Sequence, residues 1–139
     1  ADEPQFIDGA TMGSIITEEH VLKDGPAPAG GIKTVDFVTH KPGMPLDAFF
    51  EYWRKDHGAL GAAAPAARRY VQSHTRRSIY AAGRTPAFDG AAMMWFDDMN
   101  ALRAAAATPE FERLRADVAT FVARDKSPSL LTTEQVVLA

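Results

Sequence analysis

The sequence predicts an α+β domain whose elements follow one another in the order strand, helix, strand, strand, helix, strand. Segments rich in β-branched and aromatic residues alternate with segments whose apolar residues recur every three or four positions. Clusters of glycine and proline separate these segments. The 139 residues, 46% of them hydrophobic, suit one domain. This order is that of the split βαβ, or ferredoxin-like, arrangement βαββαβ with an antiparallel sheet.

The first part of the chain is predicted to hold an arm, a strand and a helix. The arm is residues 1–30 and ends in the loop "DGPAPAGG"; within it "GSIITEEHVL" has the composition of a short edge strand, and the sequence leaves its ordering open. The run "IKTVDFVTH" predicts a strand over 32–40. From Pro45 to Leu60 the apolar residues share one face, which predicts a helix with Gly58 as its stop signal.

The remaining elements complete the domain, which is predicted to span residues 31–139. "RRYVQSHTRRSIY" predicts a strand over 68–80, and "AAMMWFDD" begins a short buried strand over 91–97. Asp98 is predicted to cap a helical segment, and Thr108 to cap a second one. The closing run "LLTTEQVVLA" predicts a last strand.

Both faces of the predicted sheet carry large apolar side chains. Met93 and Met94 point to opposite sides of one strand, as do Trp95 and Phe96. Two helices cover only one face of a four-stranded sheet, so the other face needs a cover. A second copy of the chain, packed by two-fold symmetry, provides it, and the sequence therefore predicts a homodimer.

Composition excludes several classes of partner and cofactor. The net charge of −3 gives no general attraction to nucleic acid or to anionic membranes, and no apolar run approaches the length that crosses a bilayer. The chain has no cysteine, which is compatible with the cytoplasm and excludes a thiolate nucleophile. Four dispersed histidines make a poor metal-ligand set, and no phosphate-binding glycine pattern is present. We therefore expect no metal, no nucleotide and no other cofactor.

Three stretches carry a resemblance to a known family. They are "KPGMPLDAFFEYWRKDHGAL" at 41–60, "RRYVQSH" at 68–74 and "FDGAAMMWFDDMNALRAAAATPEF" at 88–111. They resemble EthD-domain proteins of the dimeric α/β-barrel superfamily, with the lysine-proline-glycine turn, the Phe-x-x-Tyr-Trp helix and the His-Gly exit as the most specific part. The resemblance implies a pocket between helices and concave sheet. It also implies lactone isomerisation, polyketide cyclisation or a related proton transfer, usually without metal or organic cofactor.

His57 is the first candidate catalytic residue. It lies four residues after Trp53 and eight after Phe49, so it shares the buried stripe and points inward or toward a cleft. One interpretation is a structural histidine at a helix end, with its positive form favoured by the helix dipole. The resemblance favours the other: in lactone-isomerising relatives a histidine at this place lies in the active pocket, where an imidazole can give or take a proton.

Tyr70, His74 and Asp36 are the other catalytic candidates. Tyr70 and His74 point to one strand face, where Tyr70 could donate to a carbonyl or enolate oxygen and His74 could share proton transfer. The alternatives are a packed aromatic and a surface histidine. Asp36 lies in an otherwise apolar strand, where an ionised carboxylate rarely stays unpaired. It faces solvent at an edge, acts as a base or orients a histidine, and His57 is the partner we expect.

Apolar side chains at Phe37, Trp53, Met93 and Trp95 are candidate walls of a substrate pocket, although such residues more often form core. Arginines cluster locally at Arg68, Arg69, Arg76, Arg77 and Arg84. They would favour a carboxylate-bearing substrate if they flank the pocket mouth, but the composition more strongly favours a solvated strand and loop surface. The sequence thus predicts a cofactor-independent isomerase, cyclase or lyase acting on a small carbonyl or lactone compound. The alternative is a non-catalytic accessory or binding protein of a degradation operon, using the same pocket.

Overall fold

The computed structural model describes residues 2–137 and contains a five-stranded antiparallel sheet. The strands are β1 (Thr17–Lys23), β2 (Ile32–Val38), β3 (Arg69–Thr75), β4 (Gly90–Phe96) and β5 (Ser129–Thr132). Their order across the sheet is β1-β3-β4-β2-β5. Without β1, the remaining four strands have the ferredoxin-like order, which confirms the predicted α+β fold.

Helices cover one face of this sheet. They are α1 (Leu46–Tyr52), α2 (Gly58–Ala62), α3 (Arg77–Ala81), α4 (Met99–Ala106) and α5 (Pro109–Phe121), with a π-helical turn at Trp53–His57 between the first two. Short 3₁₀ turns lie at Glu3–Gln5 and Arg124–Lys126. Asp98 and Thr108 accept hydrogen bonds at the starts of α4 and α5, as their sequence positions predicted. No helix within residues 2–137 is long and apolar enough to span a membrane.

The segment of the arm whose order the sequence left open forms strand β1. It pairs with β3, from Thr17 opposite Thr75 to Val21 opposite Val71, and a bulge follows before Lys23. Leu22 packs against the core beneath the helices. The docked strand covers the β3 edge, which would otherwise present unpaired backbone groups to other chains.

Two predicted strands extend well past the observed ones, and the strand predicted over 32–40 ends two residues early, at Val38. β3 ends at Thr75, and the segment predicted to continue it forms helix α3, which Gly83 closes in the left-handed conformation (φ 73°). Only a glycine adopts that conformation without cost, so the turn after α3 was encoded in "YAAG". At the other end of the chain, the strand predicted over 130–139 is confined to β5; residues 138–139 lie outside the described part.

Gly58 does not stop the first helical region, which continues through α2 to Ala62. A Cβ atom at Gly58 would lie 2.5 Å from the Leu22 Cδ1 atom and 3.5 Å from Gln72 Nε2. One at Gly61 would lie 2.3 Å from Tyr70 Cε1. Both glycines therefore permit close approach of α2 to the sheet, and this explains glycine inside a helix where it costs conformational entropy.

Both faces of the sheet carry apolar side chains. Tyr70, Met94 and Phe96 belong to the core beneath the helices. By strand alternation Val71, Met93 and Trp95 point to the opposite face, together with Val35 and Phe37 of β2. Leu130 and Val21, toward the two edges, are about half exposed, at 52% and 45%. No helix of residues 2–137 covers that second face.

Candidate active site

A cavity of ≈ 580 Å³ lies between the helices and the sheet face that they cover. Its wall is mostly apolar and includes Val38, Trp53, Ala92, Met94, Leu102, Phe111, Leu114, Val118, Phe121 and Val122. Its polar wall residues are Thr34, Asp36, His57, Tyr70, Arg115, Arg124, Ser127 and Ser129. An apolar cavity with a few converging polar groups is the usual form of a small-molecule site.

His57 reaches this cavity from the π-helical turn. A π turn widens the helix and shifts the residues that follow relative to the preceding stripe, and such turns occur often at functional sites. The residue is 6% exposed; its imidazole packs against the Phe121 ring at 4.8 Å between centroids and borders the cavity. The prediction that His57 points inward toward a cleft agrees with this position.

Asp117 of helix α5 holds the His57 ring. Its Oδ2 lies 2.8 Å from His57 Nδ1, and its Oδ1 accepts a hydrogen bond from the Tyr52 hydroxyl at 2.5 Å. Asp117 is not part of the cavity wall, so the carboxylate supports the imidazole from behind. Since a carboxylate can only accept, Nδ1 carries the hydrogen and Nε2 keeps its lone pair.

Burial and charge act on His57 in opposite directions. Burial lowers the pKa of His57, and the hydrogen bond and negative charge of Asp117 only partly offset this effect. The imidazole is therefore neutral at neutral pH, with a basic Nε2. Among residues 2–137, Nε2 has no hydrogen-bond partner, which leaves it available to a ligand.

Asp36 lies in the wall of the same cavity but does not pair with His57. Its Oδ1 accepts a 2.5 Å hydrogen bond from Ser129, its neighbour across the β2–β5 pair. The predicted pairing of Asp36 with His57 is therefore wrong: Asp117 is the partner of His57, and Ser129 is the partner of Asp36. Burial raises the pKa of Asp36, against the opposing effects of Ser129 and of the His57 charge. The carboxyl group thus holds a proton to higher pH than an exposed aspartate does.

Tyr70 and His74 share a strand face as predicted, but only Tyr70 borders the cavity. His74 lies behind Trp53, with the two rings stacked at 4.3 Å and 14°, and borders a shallower cleft beside His20. Burial, with the charges of His20 and Arg54, lowers the pKa of His74 to about 3. A ring so placed stays neutral and makes no contact with a ligand in the main cavity.

The side chain of Gln72 connects Tyr70 and His74. Its Nε2 lies 2.8 Å from the Trp53 carbonyl oxygen and 2.7 Å from the Tyr70 hydroxyl, and its Oε1 lies 2.9 Å from His74 Nε2. Gln72 is fully buried. All its polar atoms are thus satisfied inside the protein, as buried amides require.

The four candidate wall residues divide between the two sheet faces. Trp53 borders the cavity. Phe37 also belongs to the cavity wall, but by strand alternation its ring, which packs against Phe88 at 4.8 Å, points to the opposite face. Met93 and Trp95 lie on the opposite face, and the residue that fills the expected place is Met94. The strand register explains the difference, because a shift of one residue exchanges the two faces.

The arginines that border the cavity are not those of the predicted cluster. Arg68, Arg69, Arg76 and Arg77 pair with carboxylates elsewhere on the surface. Arg84 borders a smaller pocket near His40. The cavity instead has Arg115 and Arg124, each anchored by a hydrogen bond to a backbone carbonyl, those of Ala106 and Arg115.

A second histidine-aspartate pair lies apart from the cavity. His40 Nδ1 and the His40 backbone N–H both contact Asp89 Oδ2 at 2.6 Å, and Tyr80 donates to Asp89 Oδ1. These bonds join the end of β2 to the start of β4, so we interpret this cluster as structural. Residues 2–137 contain no group of three or more histidine, cysteine or acidic side chains placed to hold a metal ion.

Asp117 and Gln72 are the site residues that the sequence did not reveal. Asp117 is separated from His57 by 60 residues and adjoins Val118 on the apolar stripe of α5. An acid beside a buried stripe was the available signal. Gln72 lies midway between Tyr70 and His74 on one strand face, and a polar residue in a buried strand was its signal.

Comparison with known proteins agrees with this architecture. An EthD family protein from Bacillus halodurans superposes with a TM-score of 0.62 at 21% identity, covering 76% of this chain and 99% of that one. A dimeric ferredoxin-like protein of unknown function from Thermobifida fusca gives 0.60 at 19%, covering 81% and 98%. SnoaB from Streptomyces nogalater, described as a cofactor-independent oxygenase, gives 0.54 at 22%, covering 79% and 98%. No curated protein sequence matches the chain.

The sheet order and the helices on one face define an α+β protein of the ferredoxin-like class, with a cavity between helices and sheet. The model of the EthD domain family matches residues 41–125, which is more than half of the chain. The chain therefore belongs to the EthD domain family, and the resemblance drawn from the sequence is confirmed.

Proposed function

We propose that the protein is a cofactor-independent acid–base enzyme that moves a proton on a small carbonyl or lactone compound. The observation that carries this proposal is the His57–Asp117 pair at the wall of a mostly apolar cavity. Asp117 fixes the tautomer, burial keeps the ring neutral, and Nε2 is left for the ligand. These are the properties of a general base.

The polar wall suits removal of a proton from carbon next to a carbonyl group. In the proposed step, His57 Nε2 takes that proton, the C–H bond breaks, and its electron pair moves toward the carbonyl oxygen. Tyr70 would donate a hydrogen bond to the oxygen as negative charge develops there. Return of the proton from His57 to a different atom, assisted by the Asp36 carboxyl group in the cavity wall, completes an isomerisation, cyclisation or lyase step.

The substrate we propose is largely apolar and carries a carboxylate. The apolar residues of the cavity wall, which include Trp53 and Leu114, would enclose the carbon skeleton of the substrate. Arg115 and Arg124 have no ion-pair partner among residues 2–137, and they would bind an anionic group at the cavity rim. The methyl ester of such a substrate should therefore bind more weakly than the acid.

We also propose that the protein forms a homodimer through the uncovered sheet face. That face carries Val35, Phe37, Met93 and Trp95, while a structural neighbour of this chain is described as dimeric. Packing two such faces together would remove apolar area from water without covering the cavity, which lies on the helical side. Light scattering of the purified protein tests this proposal: a monomeric mass contradicts it.

The test of catalysis compares two histidine variants with wild type. Melting temperatures are measured with unsaturated lactones, β-keto acids and aromatic polyketide mimics, since a ligand that binds the folded state raises the melting temperature. Compounds that bind are then assayed for turnover. His57→Ala should lower kcat about 10²- to 10⁴-fold, the usual loss for a general acid or base.

His40→Ala is the matched control, because His40 also pairs with an aspartate but lies outside the cavity. The His40→Ala variant should be less stable than wild type, but the molecules that remain folded should keep the wild-type kcat. If His57→Ala turns over like wild type, the proposed catalytic role is wrong. If ligands bind and none is converted, the accessory binding function replaces catalysis.

A further inference from the structure

We propose that Gln72 is a positioning residue that directs the Tyr70 hydroxyl hydrogen into the cavity. This inference rests on the proposed function, in which Tyr70 donates to the substrate oxygen. The residue does not border the cavity itself, so any effect on a ligand must pass through Tyr70.

The orientation of the Gln72 amide follows from its neighbours. The Trp53 carbonyl oxygen can only accept a hydrogen bond, so the atom 2.8 Å away must be the amide nitrogen, Nε2. The amide oxygen then faces His74, whose Nε2 must carry a hydrogen to make the 2.9 Å contact. The amide has no equally satisfied flipped orientation, because a flip would set two acceptors against each other at Trp53.

This orientation determines what Tyr70 can do. The second hydrogen of Gln72 Nε2 points at the Tyr70 oxygen, 2.7 Å away, so the hydroxyl accepts there. Burial raises the pKa of Tyr70, which keeps its own hydrogen in place. Within residues 2–137 that hydrogen has no acceptor, and the cavity that Tyr70 borders is where a ligand oxygen can supply one.

The arrangement is also rigid. Tyr70 and Gln72 are at most 1% exposed, and the ring of Tyr70 lies against Gly61, where a single added carbon would collide. A donor held in place before the ligand binds needs no reorganisation when negative charge forms on the ligand oxygen. Without Gln72, the Tyr70 hydroxyl could rotate and donate its hydrogen bond to an acceptor inside the protein instead of to the ligand.

The test measures binding of 4-nitrophenol, whose colour reports the bound phenolate, and of 4-nitrotoluene as its neutral counterpart. Gln72→Met keeps the shape of the side chain and removes the amide. We expect it to weaken phenolate binding about 10-fold or more, the range for hydrogen bonds to a charged acceptor, and to leave the neutral compound unaffected. Tyr70→Phe should have the same effect, and the double variant should bind no more weakly than Tyr70→Phe alone.

The inference would be overturned if the two losses of phenolate affinity multiply in the double variant. It would also be overturned if Gln72→Met binds the phenolate as tightly as wild type. Thr75→Val is the control for stability, because Thr75 is buried on the same strand and its hydroxyl donates to the Phe88 carbonyl oxygen, away from Tyr70; it should not alter phenolate binding. If Gln72→Met does not fold, Gln72→Glu provides the same test, since its carboxyl oxygen would draw the Tyr70 hydrogen away from the cavity. These measurements need no turnover, so an unimpaired His57→Ala enzyme would contradict the proposed function while the binding results still decide the role of Gln72. If wild type binds neither 4-nitrophenol nor 4-nitrotoluene, the result contradicts both the proposed function and the role of Gln72.

Discussion

His57 Nδ1 and Asp117 Oδ2 lie 2.8 Å apart although 60 residues separate them in the chain. The π turn brings the imidazole to the cavity, and helix α5 brings the carboxylate behind it. Orientation by a partly buried acid lets a neutral histidine act as a base, as it does in other enzymes that pair these two residues.

Replacement of Asp117 by asparagine should lower kcat about 10²- to 10⁴-fold, close to the loss of a general base. The asparagine side chain can present an N–H group to His57 Nδ1, which moves the ring hydrogen to Nε2 and removes the lone pair from the cavity. Steady-state kinetics on a substrate from the ligand panel measures the loss. Tyr52→Phe is the control, because it removes the Tyr52 bond to Asp117 and leaves the Asp117–His57 pair in place. Wild-type kcat in Asp117→Asn would show that the pair is structural.

The pH dependence of kcat/KM should have an acid limb with its midpoint below pH 6.5. Burial lowers the pKa of His57 from 6.5, so the neutral, basic form persists as the pH falls past that value and is lost only when the pH reaches the lowered pKa. The hydrogen bond to Asp117 raises this pKa, so the residual activity of Asp117→Asn should have its acid limb at still lower pH. A midpoint above 6.5 in wild type would assign the limb to another group.

Asp36→Asn should raise the melting temperature at neutral pH and lower turnover. The folded state raises the pKa of Asp36, so the stability associated with its protonated form is present at acid pH and is lost as the pH rises through that pKa. The asparagine amide does not ionise, so the variant does not lose this stability as the pH rises. Its oxygen still accepts a hydrogen bond from the Ser129 hydroxyl. The gain in melting temperature should therefore shrink toward acid pH in scanning calorimetry. A constant gain at every pH would show that the ionisation of Asp36 is not its cause.

Gly61→Ala should destabilise the protein by roughly 1–3 kcal/mol, the usual cost of overpacking a core. The added methyl group would lie 2.3 Å from Tyr70 Cε1, and the buried ring has no room to move away. Denaturant unfolding measures the change in free energy. Gly9→Ala is the control, because a Cβ atom there meets nothing within 4 Å. Equal stability of the two variants would contradict the close packing of α2 on the sheet.

Local patterns in the sequence predicted most of the fold. Apolar spacing located α1 and α5, and Thr108 and Pro109 marked the start of α5 within one residue. The strand predicted over 68–80 was wrong at its C-terminal end. Its β-branched residues favour a strand, but the turn at Gly83 and the hydrogen bond of Tyr80 to Asp89 hold a helix there. Tertiary contacts overrode local propensity at this point.

The site was less predictable because its residues meet only through tertiary packing. The direction of His57 followed from helix periodicity, but the identity of its partner depended on how α5 crosses the first helical region. Asp36 was the more conspicuous acid in the sequence, and the register of β2 beside β5 gave it Ser129 instead. The face assigned to Met93 and Trp95 likewise depended on register, which alternation alone leaves two-fold ambiguous.

Exchange of carbon-bound hydrogen with solvent tests the proposed role of His57 as a base without need of a complete reaction. A β-keto acid or lactone that binds in the cavity is incubated in D₂O with wild type, His57→Ala and His40→Ala, and loss of the proton signal next to the carbonyl is followed by NMR. Wild type and His40→Ala should accelerate the exchange, while His57→Ala should do so about 10²- to 10⁴-fold less. Equal exchange with wild type and His57→Ala, both folded and both binding the compound, would contradict this role of His57.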